Sequence, residues 1–300
     1  MRPTAVFMGT PEIAVPALLL LASRAEVRLV VTQPDRPAGR GLKLAPPPVK
    51  AAAQALGLPV WQPETLRGAE TDPRLGGCDL FVVMAYGEIL RKPVLALPRA
   101  CINLHGSLLP RWRGASPLQA CLRAGDSATG VCVMEMAPAL DAGPVYLSVP
   151  LPLTAHTTLP QLHDALAEVA AVALGRFLDA WPGITSTPQD DAQVTFCRKL
   201  TSADGHLDWD RPAAEIEAWV RAYTPAPGCW TMFGAERVRI LAVRLADAAL
   251  APGVLAVDRE RLLIGCGDGA IEVLRLQAAG SSATDAAAYL RGHRPPPAVS

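Results

Sequence analysis

The chain has no excess of charge: 28 Lys and Arg balance 28 Asp and Glu over 300 residues, so its formal net charge is zero. No bulk field draws in nucleic acid or a membrane surface, and any anionic partner must be met by local charge. Charged residues make up 19% of the chain, below the usual level of about a quarter. Cysteine pairing is also missing. The seven cysteines are an odd number and contain no Cys-x-x-Cys. That argues against a disulfide framework or a thiolate metal site and fits a reducing, cytoplasmic setting. There is no apolar run of membrane length. Residues 13–22 are too short to span a bilayer, and Gly9-Thr-Pro-Glu12 breaks the tract that follows Arg2, which argues against a secretory signal. The first strand-to-helix turn, Gly9-Thr-Pro-Glu-Ile-Ala14, lacks Gly-x-Gly-x-x-Gly, which counts against a nicotinamide dehydrogenase.

Half of the residues are apolar, enough for sizeable cores, and the length suits two domains. Residues 4–8 read as a buried strand. Thr10 suits a helix N-cap, Pro11 the first helical position and Glu12 the positive helix end. With a helix to about residue 22 and a strand at 27–31, this is a βαβ unit, so the sheet is expected to be parallel. Further strands are expected at 59–61, 79–85, 100–104 and 129–136, and helices at 49–56, 116–124 and 158–181. In the last of these, Leu159, Leu162, Leu166, Val169 and Val172 fall at helical spacing as core positions. Residues 184–200 are polar and proline-bearing. Beyond them a short helix at 213–222 precedes five short β-like runs between 229 and 276, separated by turns such as Cys266-Gly-Asp-Gly269. The expected fold is α/β: a doubly wound, mostly parallel sheet over 1–183, a linker over 184–205, and a small OB-like β-barrel over 206–300.

The chemistry centres on Cys101-Ile-Asn-Leu-His-Gly-Ser-Leu-Leu-Pro-Arg-Trp-Arg-Gly-Ala115. Residues i and i+2 of a strand share a face, so Asn103 and His105 aim at one volume, and Gly106 permits a sharp exit. An amide donor beside an imidazole suits a reaction in which a carbonyl oxygen becomes negative and a nucleophile loses a proton. An isolated Asn-x-His is usually structural hydrogen bonding; the residues that follow change that balance. Two tracts concentrate positive charge. Residues 36–50 carry Arg36, Arg40, Lys43 and Lys50 with no acid, in a long Pro- and Gly-rich stretch that reads as a loop. Residues 89–125 carry Arg91, Lys92, Arg99, Arg111, Arg113 and Arg123, again with no acid. Such segregation in a neutral chain suggests an anionic partner. Asp141, in Leu140-Asp-Ala-Gly143, reads by itself as a turn residue.

The run Ser107-Leu-Leu-Pro-Arg-Trp-Arg-Gly114 closely resembles the signature of folate-dependent formyltransferases, and the resemblance extends over almost the whole chain. It is carried by Thr32-Gln-Pro-Asp-Arg-Pro-Ala-Gly-Arg-Gly41, Tyr86-Gly-Glu-Ile-Leu90, Leu140-Asp-Ala-Gly143, Arg198-Lys-Leu200, His206-Leu-Asp-Trp209 and Gly267-Asp-Gly269. The resemblance implies transfer of the formyl group of 10-formyltetrahydrofolate to the free α-amino group of methionine carried by initiator tRNA, without a metal. It implies Asn103, His105 and Asp141 as the catalytic residues. Ser107, Leu108, Leu109 and Pro110, with Tyr86 and Gly87, would line the folate site. Arg36, Arg40 and Lys43 of the inserted loop, and Arg198 and Lys199, would meet tRNA. Glu88 stands where relatives commonly carry an apolar residue, and the linker is less basic than in many of them. Neither a membrane nor an obligate protein partner is implied. Two other readings share these residues: a folate-dependent formyltransferase or formyl hydrolase acting on a small molecule, and an RNA-binding protein without turnover.

Overall fold

The computed structural model describes residues 2–38 and 43–300. Its contacts divide the chain into two compact units. The first comprises residues up to Pro117, Ala128–Pro152 and His163–Cys197; the second comprises Leu118–Ser127, Leu153–Leu162 and Arg198–Ser300.

The first unit is built on β1 (Thr4–Gly9), β2 (Glu26–Val31), β5 (Val60–Trp61), β6 (Leu80–Met84), β7 (Ala100–His105), β9 (Ala128–Glu135) and β10 (Val145–Pro152). They form one sheet in the order β10-β9-β7-β6-β1-β2-β5. From β5 to β7 the pairing is parallel, while β9 and β10 add an antiparallel edge. The chain winds outward from β1 to β5 and then returns to build from β6 to β10. The order therefore reverses between β1 and β6, and open α/β sheets bind ligands at such a switch point. Val6, Phe7, Met8, Phe81, Val82 and Ile102 are fully buried in this sheet, as strands covered on both faces require.

Several local expectations change. Thr10 caps no helix. Its hydroxyl donates to the Tyr86 carbonyl at 2.9 Å and accepts from the Gln33 amide at 3.4 Å, tying the ends of β1 and β6 together across the switch point. Pro11 takes the cap of a 3-10 turn, Glu12–Ala14, and α1 (Val15–Arg24) begins after it. Residues 36–50 do not form a loop throughout: β3 (Arg36–Ala38) pairs antiparallel with β4 (Lys43–Ala45), and α2 (Pro48–Ala55) follows. Pro48 sits in the first helical turn, where a missing N–H leaves nothing unsatisfied. β10 carries Pro150 and Pro152, which disguise it as a loop; it is an edge strand, where proline is tolerated. In α5 (Leu159–Ala180) the buried arc runs through Leu162, Leu166, Ala170, Ala173, Leu174 and Phe177. Val172 lies off that arc and is 49% exposed, so it is not a core residue.

The second unit contains α4 (Pro117–Arg123) from Leu118 onward, α6 (Ala213–Tyr223) and an antiparallel sheet. Its longer strands are β12 (Cys229–Phe233), β13 (Glu236–Ala246), β14 (Leu255–Asp258), β15 (Arg261–Cys266) and β16 (Gly269–Gln277), and the two-residue β17 (Thr284–Asp285) pairs with β16. The order is β12-β13-β16-β15-β14. The two edges do not stay open. Val299 bridges Phe233 beside β12, and Ala298 bridges Val254 beside β14, so residues 297–300 close the sheet into a small barrel. Val238, Ile240, Leu262, Ile264, Ile271 and Leu276 are fully buried within it. The Gly267-Asp-Gly269 turn is structural, because the Asp268 carboxylate accepts from the Ala213 backbone N–H at 2.7 Å and caps α6. A last helix, α7 (Ala286–Gly292), packs on β15 and β16.

Candidate functional site

Asn103 and His105 lie at the carboxyl end of β7, opposite Met134 and Cys132 of β9. His105 is only 6% exposed. Its Nε2 lies 2.9 Å from the Trp112 carbonyl oxygen. A carbonyl only accepts, so Nε2 carries the proton and Nδ1 holds the lone pair of the neutral ring. Nδ1 faces Asp141 Oδ2 at 3.7 Å, too long for a hydrogen bond but close enough for a protonated ring to be paired. The same Oδ2 accepts from the Gly114 backbone N–H at 2.8 Å, which fixes the carboxylate. Asn103 is half-buried, and its side-chain amide makes no hydrogen bond to another described residue. The site therefore holds a positioned base, a carboxylate behind it and an uncommitted donor on the same strand face.

The backbone around this cluster is unusual. Ala85 (φ 49°), Trp112 (φ 64°) and Asp141 (φ 48°) are three non-glycine residues in the left-handed region. Such residues cost on the order of 1–3 kcal/mol each and gather at functional sites.

Ser107 is fully buried, and its hydroxyl donates to the Arg111 carbonyl at 2.6 Å, closing the turn over 107–111. Leu109 N–H donates to Cys132 Sγ at 3.3 Å, and Leu108 lies over Gly130, where an added Cβ would come within 2.7 Å of its Cδ2. The stretch from Ser107 through Pro110 thus forms a tight turn fastened to β9. Burial pushes the Cys132 thiol up, so it stays protonated near neutrality. Tyr86 does not present its ring to solvent. It sits 2% exposed in the core with Val6, Met8 and Phe81, and its hydroxyl has no hydrogen-bond partner among the described residues. Burial, with Glu88 adding to it, raises its pKa. Beside it Gly87 is exposed at φ 93°, a conformation that suits glycine. Glu88 is committed elsewhere: its carboxylate accepts from the Thr65 hydroxyl at 2.6 Å and the Leu66 N–H at 3.1 Å, holding the 65–66 turn. An open cavity of about 650 Å³ lies next to this loop, lined by Arg67, Glu70, Ile89, Leu90, Arg91 and Lys92 among others. Its size is that of a small-molecule site, and Arg67, Arg91 and Lys92 against Glu70 leave a positive balance that suits an anionic ligand.

Of the residues assigned to tRNA, Arg36 and Lys43 are exposed on β3 and β4. Arg40 lies outside the described residues. Arg198 is exposed but bonded to Asp204, whose carboxyl is held well below its usual range first by that guanidinium and then by Thr201. Lys199 is exposed. No group of three or more His, Cys, Asp or Glu among the described residues could hold a metal ion.

A family model described as formyl transferase matches residues 9–178, and one described as formyl transferase, C-terminal domain, matches residues 199–294. The chain belongs to the formyl transferase family. A methionyl-tRNA formyltransferase of Ruegeria pomeroyi is 46% identical over 291 residues, covering 96% of each chain. One from Xylella fastidiosa is 48% identical over 299 residues, covering 96% of this chain and 97% of that one. Among solved structures, HypX from Aquifex aeolicus in complex with tetrahydrofolic acid aligns with a TM-score of 0.66 at 16% identity, over 97% of this chain and 47% of that one. The N-formyltransferase of Helicobacter canadensis, in complex with folinic acid and dTDP-3-aminofucose, gives 0.69 at 15% identity, over 93% and 100%. At these identities the two structures share the fold.

This formyl transferase also uses a segment that the sequence shows only as polar linker. Phe196 and Cys197 form β11, which pairs with β8 (Arg113–Gly114). The Trp112 N–H donates to Thr195 Oγ1 at 2.9 Å, and the Arg113 N–H to the Thr195 carbonyl at 2.9 Å. Thr187 exchanges two backbone bonds with Val145. No hydrophobic period marks these residues, and no one of them is itself a chemical group of the site, so sequence pattern alone had nothing by which to find them.

Proposed function

We propose that this chain is a methionyl-tRNA formyltransferase, which passes the formyl group of 10-formyltetrahydrofolate to the free α-amino group of methionine on initiator tRNA. Relatives bearing that name align over both halves of the chain, including the C-terminal barrel. The observation that carries the chemistry is the pairing of an uncommitted Asn103 amide with a His105 whose Nδ1 is left basic by the Trp112 carbonyl. The folate co-substrate supplies a formyl carbon already bonded to nitrogen. The cavity beside the Tyr86–Leu90 loop has the size and the cations for it. Gly87 and the turn from Ser107 through Leu108 and Leu109 to Pro110 frame the reacting end, chiefly through backbone, since the Ser107 and Tyr86 side chains are buried.

Asn103 donates to the formyl oxygen as negative charge develops there. His105 Nδ1 takes the proton that the attacking amine loses and gives it to N10 as the formyl carbon–N10 bond breaks and tetrahydrofolate leaves, while Asp141 stabilises the imidazolium and holds its orientation. Arg36, Arg40 and Lys43, with Arg198 and Lys199 of the other unit, meet the tRNA backbone. We assign the two units to catalysis and tRNA binding, with the boundary in 184–205, and place the protein in the cytoplasm, where its seven buried thiols would stay reduced. No helix among the described residues is long and apolar enough to cross a membrane.

The test is formylation by the purified protein with labelled 10-formyltetrahydrofolate, offered charged initiator tRNA, charged elongator tRNA or small primary amines. Transfer to initiator methionyl-tRNA is expected. Turnover confined to small amines, or to hydrolysis of the donor, would replace this reading with a small-molecule one.

A further inference from the structure

Gln189 lies half-buried in the polar stretch between α5 and β11. Its Nε2 donates to two carbonyls of the loop that carries Asp141: that of Asp141 itself at 2.8 Å and that of Gly143 at 2.7 Å. Its Oε1 accepts from Arg113 Nε at 2.9 Å. Both donors and the acceptor of one amide are thus engaged. Arg113 is 6% exposed and also donates to Asp191 at 3.1 Å. It precedes Gly114, whose N–H holds the Asp141 carboxylate, and follows Trp112, whose carbonyl holds His105. One side chain therefore joins the two backbone segments that set the position of Asp141 and His105.

We propose that Gln189 is a positioning residue for formyl transfer, fixing the Asp141 loop so that its carboxylate stands behind His105 Nδ1. The proposal rests on the roles assigned above to Asp141 and His105. The loop needs such a brace. Asp141 is in the left-handed region at φ 48°, a conformation that must be held in place, and Gly143 runs so close to β9 that an added Cβ would lie 1.8 Å from the Glu135 carbonyl oxygen, so the loop keeps that path only while it is fastened. Without the two donated bonds the loop relaxes toward ordinary backbone conformations and carries the carboxylate with it. Glutamate is the informative replacement. It is isosteric and keeps an acceptor for Arg113, but it turns a negative oxygen toward two carbonyls. Asparagine, one methylene shorter, cannot reach both sides.

The experiment is a double-mutant cycle on formyl transfer to initiator methionyl-tRNA, with kcat and KM measured separately across pH. Gln189→Ala and Gln189→Glu should each lower kcat on the order of 10²-fold, the cost typical of a misplacement near 1 Å. KM for the tRNA should change little, and the rising limb of the kcat–pH profile should move. In an Asp141→Asn background, Gln189→Ala should cost little more, because the carboxylate it positions is already lost. Gln193→Ala should leave turnover intact, since among the described residues that side chain bonds only to Asp190, within the same stretch. If Gln189→Ala does not fold, Gln189→Glu completes the same cycle. Additive losses in the cycle, with an unmoved pH profile, would make Gln189 a purely structural tie. A wild-type rate in Asp141→Asn alone would instead overturn the underlying assignment of Asp141.

Discussion

His105 donates to the Trp112 carbonyl at 2.9 Å, and Trp112 makes that contact from a left-handed backbone at φ 64°. A bulky residue rarely adopts such a conformation. It is held there by its own N–H on Thr195 Oγ1 at 2.9 Å and by the Arg111 guanidinium 4.3 Å over its ring. The strain turns the peptide so that its oxygen, rather than a side chain, selects the histidine tautomer. The lone pair of Nδ1 is thereby directed toward Asp141.

This arrangement predicts the cost of removing each partner. Asn103→Ala should lower turnover by about 10²–10³-fold, as loss of one oxyanion donor does. His105→Ala should fall at least as far, and Asp141→Asn should be severe because the imidazolium loses its counter-charge. Circular dichroism and melting should stay close to wild type for Asn103→Ala. Near-normal kcat at saturating donor in any of the three would remove that residue from its role.

Gly114 predicts a structural failure with a built-in control. Its φ is 125°, and an added Cβ would stand 2.0 Å from the Cys197 carbonyl oxygen, in the pairing of β8 with β11. Gly114→Ala should destabilise the fold by at least about 2 kcal/mol from strain and clash together. Gly57, at φ 68° with nothing within 4 Å of an added Cβ, should cost only the backbone term, about 1–2 kcal/mol. Denaturant unfolding of the two variants side by side should rank them in that order; equal losses would show that the β8–β11 contact yields easily.

The sequence carries some of this directly and hides the rest for identifiable reasons. Asn103 and His105 were legible because strand alternation is a strict rule, and the apolar runs at β1, β6 and β7 mark strands buried on both faces. β10 was not, because Pro150 and Pro152 imitate a loop wherever the edge of a sheet is unknown. Thr10 had the right chemistry for a cap, but its hydroxyl found Tyr86 and Gln33 instead, partners distant in sequence. Gln189 and the strand-like residues 297–300 share a deeper difficulty. Each acts through a long-range hydrogen bond made by a polar or terminal segment, and no periodicity announces such a bond.

In the barrel, Glu272 predicts a pH dependence. It is 6% exposed, and burial alone would raise its pKa; bonds from Arg244 at 2.9 Å and Arg261 at 2.8 Å outweigh that, so the net shift is downward. A carboxylate with a lowered folded pKa contributes stability that is complete above its unfolded pKa, about 4.3. That contribution disappears as pH falls through the folded value. Glu272→Gln should therefore melt below wild type at pH 7, and the gap should narrow toward pH 3. A gap of constant size at both pH values would mean that the ion pair contributes nothing that titrates.

The last prediction concerns the choice of tRNA. Residues 36–50 are acid-free, and Arg36 and Lys43 stand exposed on the paired strands β3 and β4. Arg40 lies between Gly39 and Gly41, and its guanidinium can grip a phosphate or a base edge in two places, which lysine cannot copy. If this tract meets the acceptor stem, Arg40→Ala should sharply reduce transfer to initiator methionyl-tRNA and narrow its preference over elongator methionyl-tRNA. Hydrolysis of the folate donor without tRNA should be unaffected, because the Asn103–His105–Asp141 cluster is untouched. Salt should weaken the wild type more steeply than the variant, since one phosphate-facing charge has gone and fewer counterions are released on binding. Arg40→Lys separates charge from geometry: it should retain the salt response and lose part of the preference. The measurement is the ratio of kcat/KM on the two tRNAs for wild type, Arg40→Lys and Arg40→Ala across a salt series. A ratio and a salt slope both indifferent to Arg40 would mean that selection of the initiator is made elsewhere on the protein.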